Sequence, residues 1–181
     1  MSPSDLTARL EALARTLPAE LRRAAVATAL DAEAKAKENA TTTLNVRTGR
    51  LRGSIQGTAE EIGGQLSIVL RAGTPDGGRI PYARIHEEGG TIRPKTGRYL
   101  KIPVGPALTG AGVARGGRTP GLRFVPRPGG GLLADASGRV FFVLKPSVTI
   151  PARPYLRPAL DAVEPRLIDR LQRIIVDGVT A

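Results

Sequence analysis

An α+β fold, in which amino- and carboxyl-terminal helices cover a mostly antiparallel sheet, is predicted by three features of the sequence. Both ends carry apolar residues at helical spacing. The middle carries short alternating aliphatic runs, and a Gly/Pro-rich excursion, residues 104–139, separates two of those runs. Strands bracketed by helices, without regular β-α alternation, point to α+β architecture. At 181 residues the chain suits one domain, residues 1–181, with 104–139 as an extended basic loop or hairpin insertion.

Leu6, Leu10, Leu13 and Leu17 repeat at spacings of four and three, which places them on one face of a helix starting near Ser4. Pro18 is expected to end that helix and to open a second one from Ala19 to about Asn39, because proline suits a first helical position. The second helix offers only a thin stripe of Leu21, Ala25, Thr28, Ala29, Ala32 and Ala36. Alanine faces bring backbones close but contribute little apolar area, so this helix needs a packing partner. The β-branched run Thr41 to Val46 reads as a short strand or extended connector. Leu51 and Ile55, four apart, fit either a helical turn or a strand start.

Gln65 to Ala72 alternates as a strand, with Leu66, Ile68 and Leu70 on one side. Pro81 to Glu88 reads as a short helix ended by Gly89-Gly90. Leu100 to Pro103 and Val140 to Leu144 read as strands. Between them, residues 104–139 hold ten Gly, four Pro, five Arg and one acidic residue. So much glycine predicts a segment without a core, at most a floppy hairpin, that becomes ordered on contact. From Leu156 to Ile174 the three-to-four spacing returns, and Pro165 inside it predicts a kink or a restart.

Charge is unevenly distributed. Residues 1–40 carry six basic and six acidic side chains, and residues 156–181 carry four of each. The middle, 41–155, has seventeen basic against six acidic residues and therefore the whole net charge of +11. Such an arrangement suggests one surface built for an anionic neighbour, DNA or an acidic protein. Cysteine is absent, which excludes disulfides and thiolate metal sites. No apolar stretch approaches the ~20 residues of a membrane helix, and no basic-then-apolar leader pattern opens the chain.

Enzyme signatures fail on residue type. His86 is the single histidine, so a two-histidine zinc motif cannot form. No phosphate-binding glycine loop precedes a lysine. Glu60-Glu61 and Glu87-Glu88 are adjacent pairs and read as solvated surface. No catalytic residue, metal or cofactor is expected. Backbone contact with nucleic acid remains open, since phosphates need only Lys and Arg, although aromatic platforms for unpaired bases are scarce.

Three segments occur in order: Arg47-Thr48-Gly49-Arg50-Leu51-Arg52-Gly53-Ser54-Ile55, Tyr82-Ala83-Arg84-Ile85-His86-Glu87-Glu88-Gly89-Gly90, and Ile150-Pro151-Ala152-Arg153-Pro154-Tyr155-Leu156. Together they resemble the tail-completion, or virion-morphogenesis, proteins of long-tailed phages, in both the Mu-like and lambda-like branches. The resemblance runs from Arg47 to about Leu171 and leaves out 104–139. It implies a structural virion protein, not an enzyme, assembled in the host cytoplasm and located at the tail neck. The implied partners are further copies in a ring, commonly sixfold, a tail terminator or tail tube protein, and a head connector or portal-side adaptor, with packaged DNA a further contact.

The fold-motif or interaction residues so implied are Thr48, Gly49, Leu51, Ile55, Tyr82, Ile85, His86, Gly89, Gly90, Pro151, Arg153, Pro154, Tyr155 and Leu156. The excursion adds Arg115, Arg118, Arg123, Arg127 and Arg139. In this scheme Thr48 caps a turn, Gly89-Gly90 leaves a helix through positive φ, and Tyr155 and Leu156 anchor the last helix. The alternative reading is a basic protein that holds a genome end or binds the nucleic-acid backbone without sequence preference.

Overall fold

The computed structural model describes residues 3–44, 48–73, 80, 82–116 and 119–180. In chain order its elements are α1 (Pro3–Thr43), α2 (Arg50–Gly53), β1 (Gln56–Ile62), β2 (Gln65–Arg71), α3 (Ala83–Glu88), β3 (Gly90–Ile92) and β4 (Leu100–Pro103). A single 3-10 turn at Gly105–Ala107 follows, then β5 (Arg123–Arg127), β6 (Gly130–Ala134), β7 (Val140–Lys145), β8 (Val148–Ile150) and α4 (Arg157–Thr180). The fold is α+β, with antiparallel sheets and long terminal helices that pack on one another. The chain divides into two compact units.

The first unit comprises Met1–Leu44, Arg50–Ala83 and Pro154–Ala181. Here α1 and α4 run antiparallel. Arg9 donates to the Val179 and Thr180 carbonyls at 3.3 and 3.1 Å, and Asn39 donates to the Tyr155 carbonyl at 3.2 Å. Midway, the Arg170 guanidinium donates to Thr28 Oγ1 at 2.7 Å and to Asp31 Oδ2 at 2.9 Å. Thr28 is fully buried and donates its own hydroxyl hydrogen bond to the Ala24 carbonyl at 2.8 Å. The buried face of α1 is the alanine stripe, with Ala29, Ala32, Ala36 and Ala40 all but inaccessible. The leucine-rich start is looser, and Leu10 is exposed.

Three expectations about the helices are corrected. Pro18 does not end a helix, because α1 continues through it. Proline removes one hydrogen bond and crowds the carbonyl four residues back, at ~3 kcal/mol. Both Pro18 and Ala14 face solvent, so water can take that carbonyl, and the contacts with α4 hold both halves in line. Likewise α4 does not restart at Pro165, which is exposed. Thr41 to Thr43 belong to α1 and not to a strand. Thr41 and Thr42 donate their hydroxyls to the Lys37 and Glu38 carbonyls one turn back, a helical partner that β-propensity overlooks. Val46 lies outside the described residues.

β1 and β2 form an antiparallel hairpin in register from Gln56↔Arg71 to Ile62↔Gln65, turned by Gly63 and Gly64 at positive φ. β1 had no clear sequence pattern. Its start lies so near α1 that a Cβ on Gly57 would stand 2.1 Å from the Ala29 carbonyl oxygen. Glu33 on α1 accepts the Gly57 N–H at 2.9 Å and the Lys37 ammonium on its other oxygen. Lys37 first, then that N–H, holds the Glu33 carboxyl below its ordinary range.

The second unit comprises Asn45–Gly49 and Arg84–Arg153. It holds a two-stranded ladder, β3 with β8, and a four-stranded sheet in the order β4-β7-β6-β5. The short helix and the strands at 100–103 and 140–144 lie where the sequence predicts them, while Pro81 is outside the described residues. The span 104–139 takes the hairpin form, but it is not floppy: β5 and β6 pair over Arg123↔Ala134 to Arg127↔Gly130, and β6 pairs with β7. Two of these glycines, Gly130 and Gly131, serve packing. A Cβ on Gly130 would lie 2.0 Å from the Leu144 carbonyl oxygen, and one on Gly131 would enter the Phe124 ring. Arg118 lies outside the described residues.

Asp135 closes the β6–β7 turn. Its carboxylate accepts from the Ser137 N–H and hydroxyl at 3.0 and 2.7 Å, and from the Arg139 N–H and guanidinium at 3.0 and 2.9 Å. The Ser137 hydroxyl above all, then Arg139, lowers the Asp135 pKa to about 2.

Gly130→Ala separates packing from flexibility as the reason for glycine. Overpacking against backbone should lower stability by ~1–3 kcal/mol in urea denaturation. A glycine in a flexible loop would instead give a gain of up to ~1 kcal/mol.

The Asp135 carboxylate should titrate near pH 2 by NMR, and Ser137→Ala should move that midpoint upward. Because the folded pKa is depressed, the turn's contribution is complete above the unfolded carboxylate range. It is lost as pH falls toward 2. A midpoint near the ordinary ~3.9 would refute this turn.

Candidate functional site

The three motif segments converge on two places, one in each unit. In the first unit, Leu51 and Ile55 join Ala36, Ala40, Leu44, Ile80, Ala83, Tyr155 and Ala159 in one buried cluster. Tyr155 is wholly inaccessible, and its hydroxyl lies 3.4 Å from the Ala83 carbonyl, to which it donates. Leu156 is half-buried against the same cluster. Thr48 and Gly49 of the same motif fall in the second unit, where Thr48 is exposed and Gly49 takes φ +68. Tyr82 and Pro154 are exposed.

Ser54, inside the first motif, makes the bonds that lock this cluster. It is 1% exposed, donates to the Leu51 carbonyl at 2.7 Å and accepts the Gly73 N–H at 2.9 Å. Gly73, at φ +90, accepts the Ile80 N–H through its carbonyl at 3.0 Å. The turn of α2 is thereby fastened to the end of β2 and to the chain entering α3.

In the second unit, the second and third motifs meet as a ladder. Gly90 pairs with Ile150, and the His86 carbonyl accepts the Arg153 N–H at 2.7 Å. Gly89 ends α3 at φ +70. A Cβ there would lie 2.6 Å from the Ala152 nitrogen, so a side chain is excluded by conformation and by space. Ile85 is half-buried and reaches toward Gly90. The His86 imidazole is half-buried, and burial first, then the Arg153 charge, holds its pKa below the ordinary value. Pro151 and Arg153 are exposed.

Of the excursion's arginines, Arg139 is taken up by Asp135. Arg115 is exposed and donates its Nε to the Leu108 carbonyl at 2.9 Å. Arg123 and Arg127 are exposed on the edge strand β5. In the first unit, Glu60 is clasped by Arg71 across the hairpin. That guanidinium, then the Thr58 hydroxyl, holds the Glu60 pKa at about 2. Among the described residues, no group of three His, Asp or Glu side chains is placed to hold a metal ion. The groove between α1 and α4 mixes Asp31 and Glu38 with Lys35 and Arg166.

Sequence reasoning missed Ser54 as a structural centre, Gly73, and the Glu33 and Arg170 fastenings. Ser54 had a signal, since it stands at the serine position of the first motif. Glu33 and Arg170 had none, because a charged residue on a helix reads as solvent-facing until its neighbour is known.

Ser54→Ala should cost ~1–3 kcal/mol in equilibrium unfolding, since it strands the buried Gly73 N–H. A change within ~0.5 kcal/mol would show that this N–H finds another partner.

No curated protein and no solved structure matches the chain. Residues 4–89 match the family model described as "Bacteriophage HK97-gp10, putative tail-component". The matched span runs from the start of α1 to Gly89, the residue that ends α3, and leaves both β3 and the four-stranded sheet outside it. Over residues 4–89, therefore, the chain is similar to a component of the phage tail.

Proposed function

We propose that this chain is a structural protein of a tailed-phage particle that completes the tail and joins it to the head at the neck. The observation that carries this reading is the tail-component match over 4–89, which takes in the first two motif segments. The third segment, outside the match, supplies Tyr155 to the same buried cluster. Residues 1–181 act as one tail-completion-like subunit with 104–139 as its insertion. The motif residues maintain the scaffold, and the surface they present does the joining.

The subunit works as a member of a ring, the sixfold arrangement being the form the resemblance implies. Its neighbours are a tail terminator or tube protein on one side and a head connector or portal-side adaptor on the other. Supporting this are exposed aliphatic side chains on both long helices: Val26 and Leu30 on α1, and Ile168, Ile175 and Val176 on α4. Singly such residues are ordinary. Spaced one or two turns apart, they form stripes available to a neighbouring copy. A ring requires two different faces that close on themselves, which two helices in one unit can supply.

Electron microscopy of particles produced without this gene tests the reading. The expected result is full heads and separate, finished-length tails that fail to unite, with joining restored by adding back the protein. Joined particles at normal yield would overturn it.

A further inference from the structure

The two units differ sharply in charge. The second unit carries thirteen basic side chains against three acidic ones, net +10, whereas the first carries fourteen against thirteen. Glu88 is paired with Arg84 and Asp135 with Arg139. Strand register sorts the rest. Arg123, Val125 and Arg127 alternate on β5 and lie on the face that carries Leu132 of β6 and Val143 and Lys145 of β7. Arg123, Arg127 and Lys145 are all exposed and have no carboxylate partner among the described residues. The opposite face adds Lys101, paired with Leu144. The β3–β4 connection adds Arg93, Lys95 and Arg98, also exposed.

We propose that the second unit is a double-stranded DNA-backbone binding module, in which Arg123, Arg127 and Lys145 on one face of the four-stranded sheet contact phosphates without reading sequence. This goes beyond the joining role and does not depend on it. Four residues along a strand separate Arg123 from Arg127 by ~13 Å, close to the ~12 Å width of the major groove. The two can therefore take phosphates from opposite strands. A single charge sign over both sheet faces suits a polymer of uniform charge better than an acidic protein, which would reward a few matched positions. Phe124, the exposed aromatic of β5, lies on the face opposite Arg123 and Arg127 and so gives those arginines no stacking platform for an unpaired base, and Arg98 lies over the Tyr99 ring at 5.9 Å. Pro126 is explained by protection of the sheet edge, but edge protection works with either sign and does not account for the bias.

The test is fluorescence anisotropy of the full chain with a mixed-sequence duplex over a salt series, comparing two variants of equal net charge. Arg123→Gln/Arg127→Gln/Lys145→Gln should flatten the slope of log K against log salt by about 2.7. The affinity lost between about 50 and 200 mM salt then shrinks about 40-fold relative to the unaltered chain. Arg15→Gln/Arg22→Gln/Arg173→Gln, all exposed positions of the first unit, should leave that slope unchanged. If the triple variant of the second unit fails to fold, Lys145→Gln alone should flatten the slope by about 0.9. No duplex binding at low salt, equal slopes for the two triple variants, or displacement of the duplex by polyglutamate at equal charge would each overturn the proposal. Polyglutamate winning would assign the surface to an acidic protein. Normal duplex binding by a chain that fails to join heads to tails would count against the joining role alone.

Discussion

The close approach of other backbones to α1 is the constraint on which the first unit depends. Alanine at 29, 32, 36 and 40 leaves no side-chain bulk on that face, so β1 can come within contact of the Ala29 carbonyl at Gly57. Alanine buries little apolar area, so stability cannot come from the stripe itself. It comes from what the closeness permits. Glu33 reaches a backbone N–H of β1, Arg170 reaches Thr28 and Asp31, and the whole of Tyr155 is enclosed beside Ala36 and Ala40. At Gly178 on α4 the same rule recurs, since a Cβ there would collide with Leu13.

The second unit is built differently. Its buried side chains are few, Ala107, Ala134 and Leu144 among the apolar ones, while Phe141, Phe142 and Val143 stay half-exposed. Order here rests on ladder hydrogen bonds, on glycines that fit between strands, and on carboxylate-centred turns such as Asp135. A sheet of this kind spends its side chains on surface. The second unit carries nearly all the net charge of the protein.

The tail-component match ends where the second unit's sheet begins, and the helix that completes the first unit returns only after Arg153. The chain can thus be seen as a helix-and-hairpin scaffold interrupted by a basic sheet. Val26, Leu30, Ile168 and Ile175 are exposed on the long helices of the first unit, whereas the second unit carries most of the basic excess.

By itself the sequence determined the fold class, the helical character of both ends, the strands read at 65–72, 100–103 and 140–144, and the helix ended by Gly89. Each of these rests on periodicity or on a glycine conformation, which are local properties. The motif order likewise pointed to a phage tail component from a handful of residues. Only the tertiary structure decided that Pro18 and Pro165 lie inside continuous helices, because packing along α1 and α4 outweighs a local cost of ~3 kcal/mol. It also turned Gly130 and Gly131 from a sign of disorder into close-packed strand residues, since whether a missing Cβ means freedom or contact depends on what stands opposite, and the Leu144 carbonyl that faces Gly130 comes from a strand fourteen residues away.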